Sequence, residues 1–189
     1  RGSVRGTPES IVRTLASLVP AAVEGILRDV TIAAAMDDAD LERIADHAGC
    51  GLVQAPHRRD ALLSALAQTR ESTVFLIRAG RAPEAGFGEE LAEFLGDGHR
   101  LARMRERPRS FFPRLMPGLS PASALLAPRD KLIAIADNEM ARMSRRLGPA
   151  QTLRSRAQQM AGALGIDTVQ LDVNRDASSK AGDTAAKGE

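Results

Sequence analysis

Two groups of charged residues have types and spacings that could do chemistry. The first comprises Asp37, Asp38 and Asp40, which follow a short apolar run. Clustered carboxylates at the end of a strand are suited to a metal or nucleotide site. They are also suited to capping the helix that follows, because Asp favours the N-cap position and the positive end of the helix dipole. Both interpretations stay open on the sequence alone.

Arg78 and Arg81 form the second group, directly after the strongest predicted strand, residues 73–77. The planar fork of a guanidinium matches the oxygens of a phosphate. One interpretation is therefore an anion site for a diphosphate or a phosphorylated partner. The other is a solvated loop in which Glu84 pairs with one of the two arginines.

The remaining candidates are isolated from one another. His47, His57 and His99 show no spacing typical of metal ligands. Cys50 has no matching His and acid for nucleophilic catalysis, and we expect it to be a small buried residue.

Composition excludes several classes of function. The chain has 189 residues, of which 43% are hydrophobic, so it can form one domain with a core. Only 3% are aromatic and the net charge is +2, which disfavours nucleic acid as a partner. No apolar run could span a membrane and no export signal is visible, so the expected location is cytoplasmic.

The candidate residues are positioned by an alternation of strands and helices. Short apolar runs predict strands, and helices of about ten residues follow them. This alternation is typical of βαβ units, so we predict an α/β fold with a mostly parallel sheet and helices on both faces. Ligands bind beyond the carboxyl ends of such strands. The predicted strands are residues 30–35, 51–54 and 73–77.

The C-terminal part of the chain is rich in arginine. Residues 138–165 are predicted to be helical, within a single domain of residues 1–171. Residues 172–189 are polar and are predicted to be a disordered tail. The arginines could meet an anionic membrane surface or protein partner, or they could form a solvated surface. These arginines are at positions 142, 145, 146, 154 and 156. A separate group lies earlier in the chain, at positions 100, 103, 105, 107 and 109, with Glu106 the one acid among its members.

The segments RDVTIAAAMDDADLERIADHAGCGLVQA and STVFLIRAGRAPEAGF carry a resemblance to a known family. Together with the helices beside them, they resemble the nucleotide-binding half of bacterial family 2 glycosyltransferases, which have the GT-A fold. The resemblance covers roughly residues 7–135. It implies a GT-A or Rossmann-like sheet, a nucleotide-sugar donor and a Mg²⁺ or Mn²⁺ ion. It also implies that the first strand is missing or shortened, since only residues 1–6 precede the first helix.

The chain departs from the family at the positions that carry its chemistry. The nucleotide-binding Asp falls on Ala34, and the next acidic position falls on Ala39. The acidic metal motif falls on Arg78-Ala79-Gly80-Arg81. A hard divalent cation needs oxygen ligands, and two guanidiniums at that place would repel it. The metal that the family implies is thus not supported by these residues.

Two functions follow as expectations. The first is a glycosyltransferase-like pseudoenzyme with a degraded or inactive site, which binds a nucleotide or diphosphate through Asp37, Asp38, Arg78 and Arg81; no catalytic residue is assigned. The alternative is a non-enzymatic binding or scaffold protein, whose arginine-rich surface would meet an anionic partner or the inner membrane.

Overall fold

A computed structural model describes residues 8–35, 38–107, 120–159 and 168–173. The helices are α1 Pro8–Val23, α2 Ala39–Ala48, α3 Arg58–Gln68, α4 Phe87–Gly96, α5 Arg129–Ile135 and α6 Met140–Leu147. The strands are β1 Leu27–Ala35, β2 Gly51–Ala55, β3 Thr73–Arg78, β4 Arg81–Pro83, β5 Ala102–Arg105, β6 Ala122–Pro128, β7 Gln151–Thr152, β8 Ala157–Gln159 and β9 Thr168–Val173. The predicted α/β class is confirmed, and no helix in these ranges is long and apolar enough to cross a membrane.

Seven strands form the main sheet in the order β2-β1-β9-β3-β6-β5-β7, and β4 pairs with β8 in a second, small sheet. Only β1–β2 and β5–β7 are parallel pairs. The other four pairings of the main sheet are antiparallel. The prediction of a mostly parallel sheet is therefore not confirmed, because β6 and β9 run against their neighbours. Strands β1, β2 and β3 nevertheless share one direction.

Helices cover both faces of the main sheet. Successive side chains of a strand point to opposite faces, and β3 illustrates this. Phe75 and Ile77 pack with α1, α2 and α4 on one face. Val74 and Leu76 pack with α3, α5 and α6 on the other. All four side chains are fully buried, so β3 lies at the centre of the core.

Strand β9 occupies the place between β1 and β3, antiparallel to both. It extends through Val173, so the predicted tail of residues 172–189 begins inside a strand. Residues 174–189 lie outside the described residues, and so do residues 1–7, where the first strand was expected to be missing or shortened.

The helical prediction for residues 138–165 is correct over α6 and wrong over residues 151–159, which form β7, a connecting turn and β8. The backbone N–H groups of this segment bond to distant parts of the chain, which a helix would not allow. Leu153 N–H donates to the Arg103 carbonyl, and the N–H groups of Arg154 and Ser155 donate to the Glu90 carboxylate. Residues 160–165 lie outside the described residues.

Candidate functional site

The arginine turn, residues Arg78–Arg81, lies beyond the centre of the sheet. Strand β3 ends at Arg78, and β4 begins at Arg81. Ala79 and Gly80 between them are buried, and Gly80 has a φ of 77°. Residues with a side chain rarely adopt this left-handed conformation. The segment on which the resemblance would place the acidic motif is thus a tight, buried turn that requires glycine.

Helix α1 fixes the arginine turn through a buried hydrogen bond. The Gly80 N–H donates to Thr14 Oγ1 at 2.9 Å, and the same hydroxyl donates to the Ser10 carbonyl. In the variant Thr14→Val, the Gly80 N–H would remain buried without this partner. We expect a loss of about 1–3 kcal/mol in the free energy of unfolding, measured by urea denaturation. The variant Ser17→Val on the same helix is the control, because Ser17 is only partly buried and its hydroxyl bonds within α1; an equal loss in both variants would contradict the prediction.

Glu106 is the acidic partner of the arginine turn. Its Oε1 lies 2.8 Å from Arg81 Nε and 3.7 Å from Arg78 Nη1. Arg81 is only 4% exposed, so its charge is neutralised inside the protein. The predicted pairing with Glu84 is wrong, because Glu84 pairs with Arg107 at 3.3 Å. The one signal for Glu106 in the sequence was its place as the sole acid among five closely spaced arginines.

Arg78 keeps part of its guanidinium near solvent. Burial lowers its pKa, the neighbouring Arg81 and Arg58 lower it further, and Glu106 partly offsets both effects. Guanidiniums stay protonated in proteins, so this lowered pKa marks a place where positive charge is crowded.

A cavity of about 210 Å³, which we call the polar cavity, opens beside Arg78. Arg58 at the start of α3 and Arg78 at the end of β3 line one part of it. Asp137 and Glu139, in the connection between α5 and α6, line another. Asn138 anchors this connection, since its Oδ1 accepts the Arg59 N–H at 2.9 Å.

The two acids of the polar cavity already have cationic partners on α6. Asp137 lies 3.7 Å from Arg142 and 3.4 Å from Arg146. Glu139 lies 3.3 Å from Arg142. Arg58 and Arg78 therefore face carboxylates whose charge is offset by other arginines.

The acidic cluster lies elsewhere. Asp38 is the N-cap of α2, and its Oδ1 accepts the Asp40 N–H at 2.9 Å. Asp40 pairs with Arg43. The capping interpretation of Asp38 is confirmed, while Asp37 lies outside the described residues. The carboxyl ends of β1 and β3 lie at the same edge of the sheet, but β9 separates them and Asp38 does not line the polar cavity.

The three histidines do not come together with the cysteine in one site. His99 packs on Phe94 with ring centroids 5.0 Å apart, whereas His47 and Cys50 line a groove between α1 and α2. Cys50 is half-buried, and burial raises the pKa of its thiol. Within the described ranges no group of three or more His, Cys, Asp or Glu could hold a metal ion. The residues of the arginine turn likewise do not fit the Mg²⁺ or Mn²⁺ that the resemblance implies.

Two arginines form hydrogen bonds with carbonyl groups at the carboxyl ends of helices. Arg100 donates to the Leu95 carbonyl of α4 at 3.2 Å, and Arg129 donates to the Thr69 carbonyl after α3 at 3.0 Å. A cation is favourable at the negative end of the helix dipole. Part of the arginine surplus therefore has a structural role.

Comparison of the chain with protein families, with curated proteins and with solved structures finds no match.

Proposed function

We propose that this chain is a glycosyltransferase-like protein that has lost metal-dependent sugar transfer and binds a diphosphate group directly through arginine. The observation that carries the proposal is the polar cavity, where Arg58 and Arg78 lie together at the carboxyl end of β3. The nucleotide-binding half of family 2 glycosyltransferases, which the sequence resembles, handles a diphosphate in this part of its sheet.

The order of the strands supports a ligand site at this edge. The chain passes from β1 outward to β2 over α2, then returns over α3 to β3, skipping β1 and β9. Helices α2 and α3 lie on opposite faces, as expected when two right-handed crossovers run in opposite directions. Ligands of open α/β sheets bind at the carboxyl edge near such a reversal.

The local charge supports an anion as the ligand. Among the residues that the structure describes, five guanidiniums lie in or next to the polar cavity and the arginine turn, together with three carboxylates. The guanidiniums are those of Arg58, Arg78, Arg81, Arg142 and Arg146, and the carboxylates are those of Glu106, Asp137 and Glu139. A guanidinium binds a phosphate oxygen through strong charge-assisted hydrogen bonds, so this crowding of arginines favours an anion as the ligand.

The volume of the polar cavity limits the size of the group that it holds. Sites for whole small molecules usually measure about 300–1,000 Å³. A cavity of about 210 Å³ is smaller, which suits a phosphate or diphosphate group with the rest of the ligand outside. No described side chain is assigned as a catalytic base, so the proposed function is binding without transfer.

Calorimetry with inorganic pyrophosphate tests this function. We expect binding in the presence of EDTA and no tightening on addition of Mn²⁺, because the arginines take the place of the metal. The variant Arg78→Gln should bind at least about tenfold more weakly, since it loses a charge-assisted hydrogen bond. Arg107→Gln is the matched control, because Arg107 is an exposed arginine paired with Glu84 outside the cavity.

Two results would overturn the proposal. One is an equal affinity of the Arg78→Gln and unsubstituted proteins for pyrophosphate. The other is tight binding of UDP-sugar or GDP-sugar that depends on Mn²⁺, which would indicate a working metal site instead.

The alternative function, a scaffold that meets an anionic partner or membrane through its arginines, receives less support. On α6 the guanidiniums of Arg142 and Arg146 pair with Asp137, and Arg142 also reaches Glu139. These pairs offset two of the three arginine charges of α6, and Arg145 is the third. Electrostatic association is strongest at low salt, so co-sedimentation with anionic vesicles at low salt, lost at high salt, would favour this alternative.

A further inference from the structure

Helix α1 carries apolar residues on its solvent face as well as on its buried face. The buried face contains Ile11, Leu15 and Leu18. The solvent face carries Val12, Ala16, Val19 and Val23, which we call the outer stripe. The three valines are 48%, 54% and 81% exposed. Only one other large hydrophobic side chain in the described ranges, Ile133, is comparably exposed.

The spacing of the outer stripe is that of a helix–helix seam. Its members follow one another at intervals of four, three and four residues. Alternating intervals of three and four keep side chains on one side of a helix that packs along another helix. Valine and alanine are small, so a second helix could approach closely.

We propose that the outer stripe is the contact between two copies of this chain, with the two α1 helices packed antiparallel about a two-fold axis. The intervals of four, three and four read the same in both directions. Antiparallel pairing therefore places Val12 opposite Val23 of the second copy and Ala16 opposite Val19. Every position of the stripe then meets an apolar residue, which a self-complementary two-fold contact requires.

The charges beside the outer stripe fit the same arrangement. Arg13 and Glu24 both lie about a quarter turn from the stripe, on the same side of the helix. Glu24 follows the last residue of α1 but keeps the helical hydrogen bond to the Pro20 carbonyl, and its exposed side chain reaches toward Gly88 at the start of α4. In the antiparallel pair, Arg13 and Glu24 of the second copy differ in height along the helix axis by about 3 Å. The two-fold axis generates this pair twice. The Arg13 side chains of the two copies do not meet each other, and neither do the Glu24 side chains.

The groove between α1 and α2 adds area to this contact. It has a volume of about 860 Å³ and its lining as a whole is mostly apolar, with Leu15, Val30 and Ile44 among the lining residues, while Asp40, Arg43 and His47 supply polar groups on the α2 side. A stable dimer buries about 800 Å² on each partner. Helix α1 is about 24 Å long, too short to supply that area alone, so α2 contributes and the dimer is expected to form at micromolar concentration.

Sedimentation equilibrium of the full chain tests the proposal. We expect a monomer–dimer equilibrium between low and high micromolar concentration. Val19→Glu should weaken the dimer at least about tenfold, because it places a carboxylate in the apolar contact. Ile133→Glu is the matched control on α5 and should leave the equilibrium unchanged. Circular dichroism melts establish that both variants are folded.

A charge exchange tests the antiparallel register. Arg13→Glu alone places two carboxylates together and should weaken the dimer. The double variant Arg13→Glu/Glu24→Arg restores opposite charges and should recover most of the lost affinity. A monomer at every concentration, a dimer insensitive to Val19→Glu, or a failure of the double variant to recover would each overturn the proposed contact. None of these results depends on the polar cavity, so they do not bear on the proposed function.

Discussion

A chain that ends at residue 167 is expected to show no cooperative unfolding transition. This truncation removes β9, which is the last strand in the chain but occupies the third place in the seven-stranded sheet. It pairs with β1 over Leu27–Ala33 and with β3 over Val74–Arg78. Its loss would leave two rows of backbone N–H and C=O groups unpaired in the middle of the sheet. Domains are stable by only about 5–15 kcal/mol, and each unpaired buried group costs about 1–3 kcal/mol. The loss therefore exceeds the stability that a domain of this size has.

The matched control is a chain that ends at Val173, which keeps β9 and removes only residues 174–189. It should unfold at the same urea concentration as the full chain, because those residues are polar and belong to the segment that the sequence predicts to be a disordered tail. Circular dichroism at increasing urea measures both chains. A cooperative transition in the chain ending at residue 167, with a midpoint near that of the full chain, would refute the role of β9.

A point variant separates the effect of β9 from a general effect of truncation. Leu171 pairs with Val30 on one side and Phe75 on the other. Leu171→Pro removes a backbone donor in the middle of the sheet, where proline is not tolerated. We expect it to destabilise the full chain severely. Ala177→Pro, in the tail, is the control and should change the midpoint little.

The elements of the fold that the sequence predicted well are those with a local signal. The predicted strands over residues 51–54 and 73–77 match β2 and β3 almost to the residue. Periodicity and flanking residues determine such elements, and both are visible in the sequence.

The direction of the strands could not be predicted in the same way. Val169, Leu171 and Val173 alternate with polar residues, which is a strand signal. Nothing local indicates that this strand lies between β1 and β3, or that it runs antiparallel to them. Because β9 is distant in sequence from both neighbours, its place depends on the packing of the whole chain, and the sheet is mixed rather than mostly parallel.

In the candidate site too, some residues have a local signal in the sequence and one depends on long-range packing. Arg78 and Arg81 were found because ligands bind beyond the carboxyl ends of strands. Their partner Glu106 lies 25 residues from Arg81, on the far side of α4 and β5 in the sequence. A long-range ion pair of this kind has no sequence spacing that identifies it, so the nearer Glu84 was the natural but wrong choice.

Replacement of Glu106 by Gln is expected to destabilise the protein by about 3–5 kcal/mol. Arg81 has a side chain that is 5% exposed, and arginine carries its positive charge in proteins. Without the Glu106 carboxylate, the charge of Arg81 is buried beside the guanidinium of Arg78, and the carboxylate that offset it is gone. Urea denaturation measures the loss.

Glu84→Gln is the matched control for Glu106→Gln. It breaks an equivalent glutamate–arginine pair, but the side chain of its partner Arg107 is 62% exposed. Water solvates such a charge when the pair is broken, so we expect a loss of less than about 1 kcal/mol. Equal losses in the two variants would mean that the arginine turn does not depend on Glu106 for its neutralisation.

A double variant and a binding measurement separate the two roles of Glu106. In Arg81→Met/Glu106→Leu the most buried charge is removed together with its partner, so most of the stability lost in Glu106→Gln should return, as found when buried ion pairs are replaced by apolar residues; Arg78, whose side chain is 33% exposed, keeps access to water. Pyrophosphate binding should respond in the opposite direction. Glu106→Gln removes a carboxylate 3.7 Å from Arg78 and leaves more positive charge beside the polar cavity. While the variant remains folded, it should therefore bind pyrophosphate more tightly than the unsubstituted protein, because Glu106 stabilises the arginine turn at the expense of its attraction for anions.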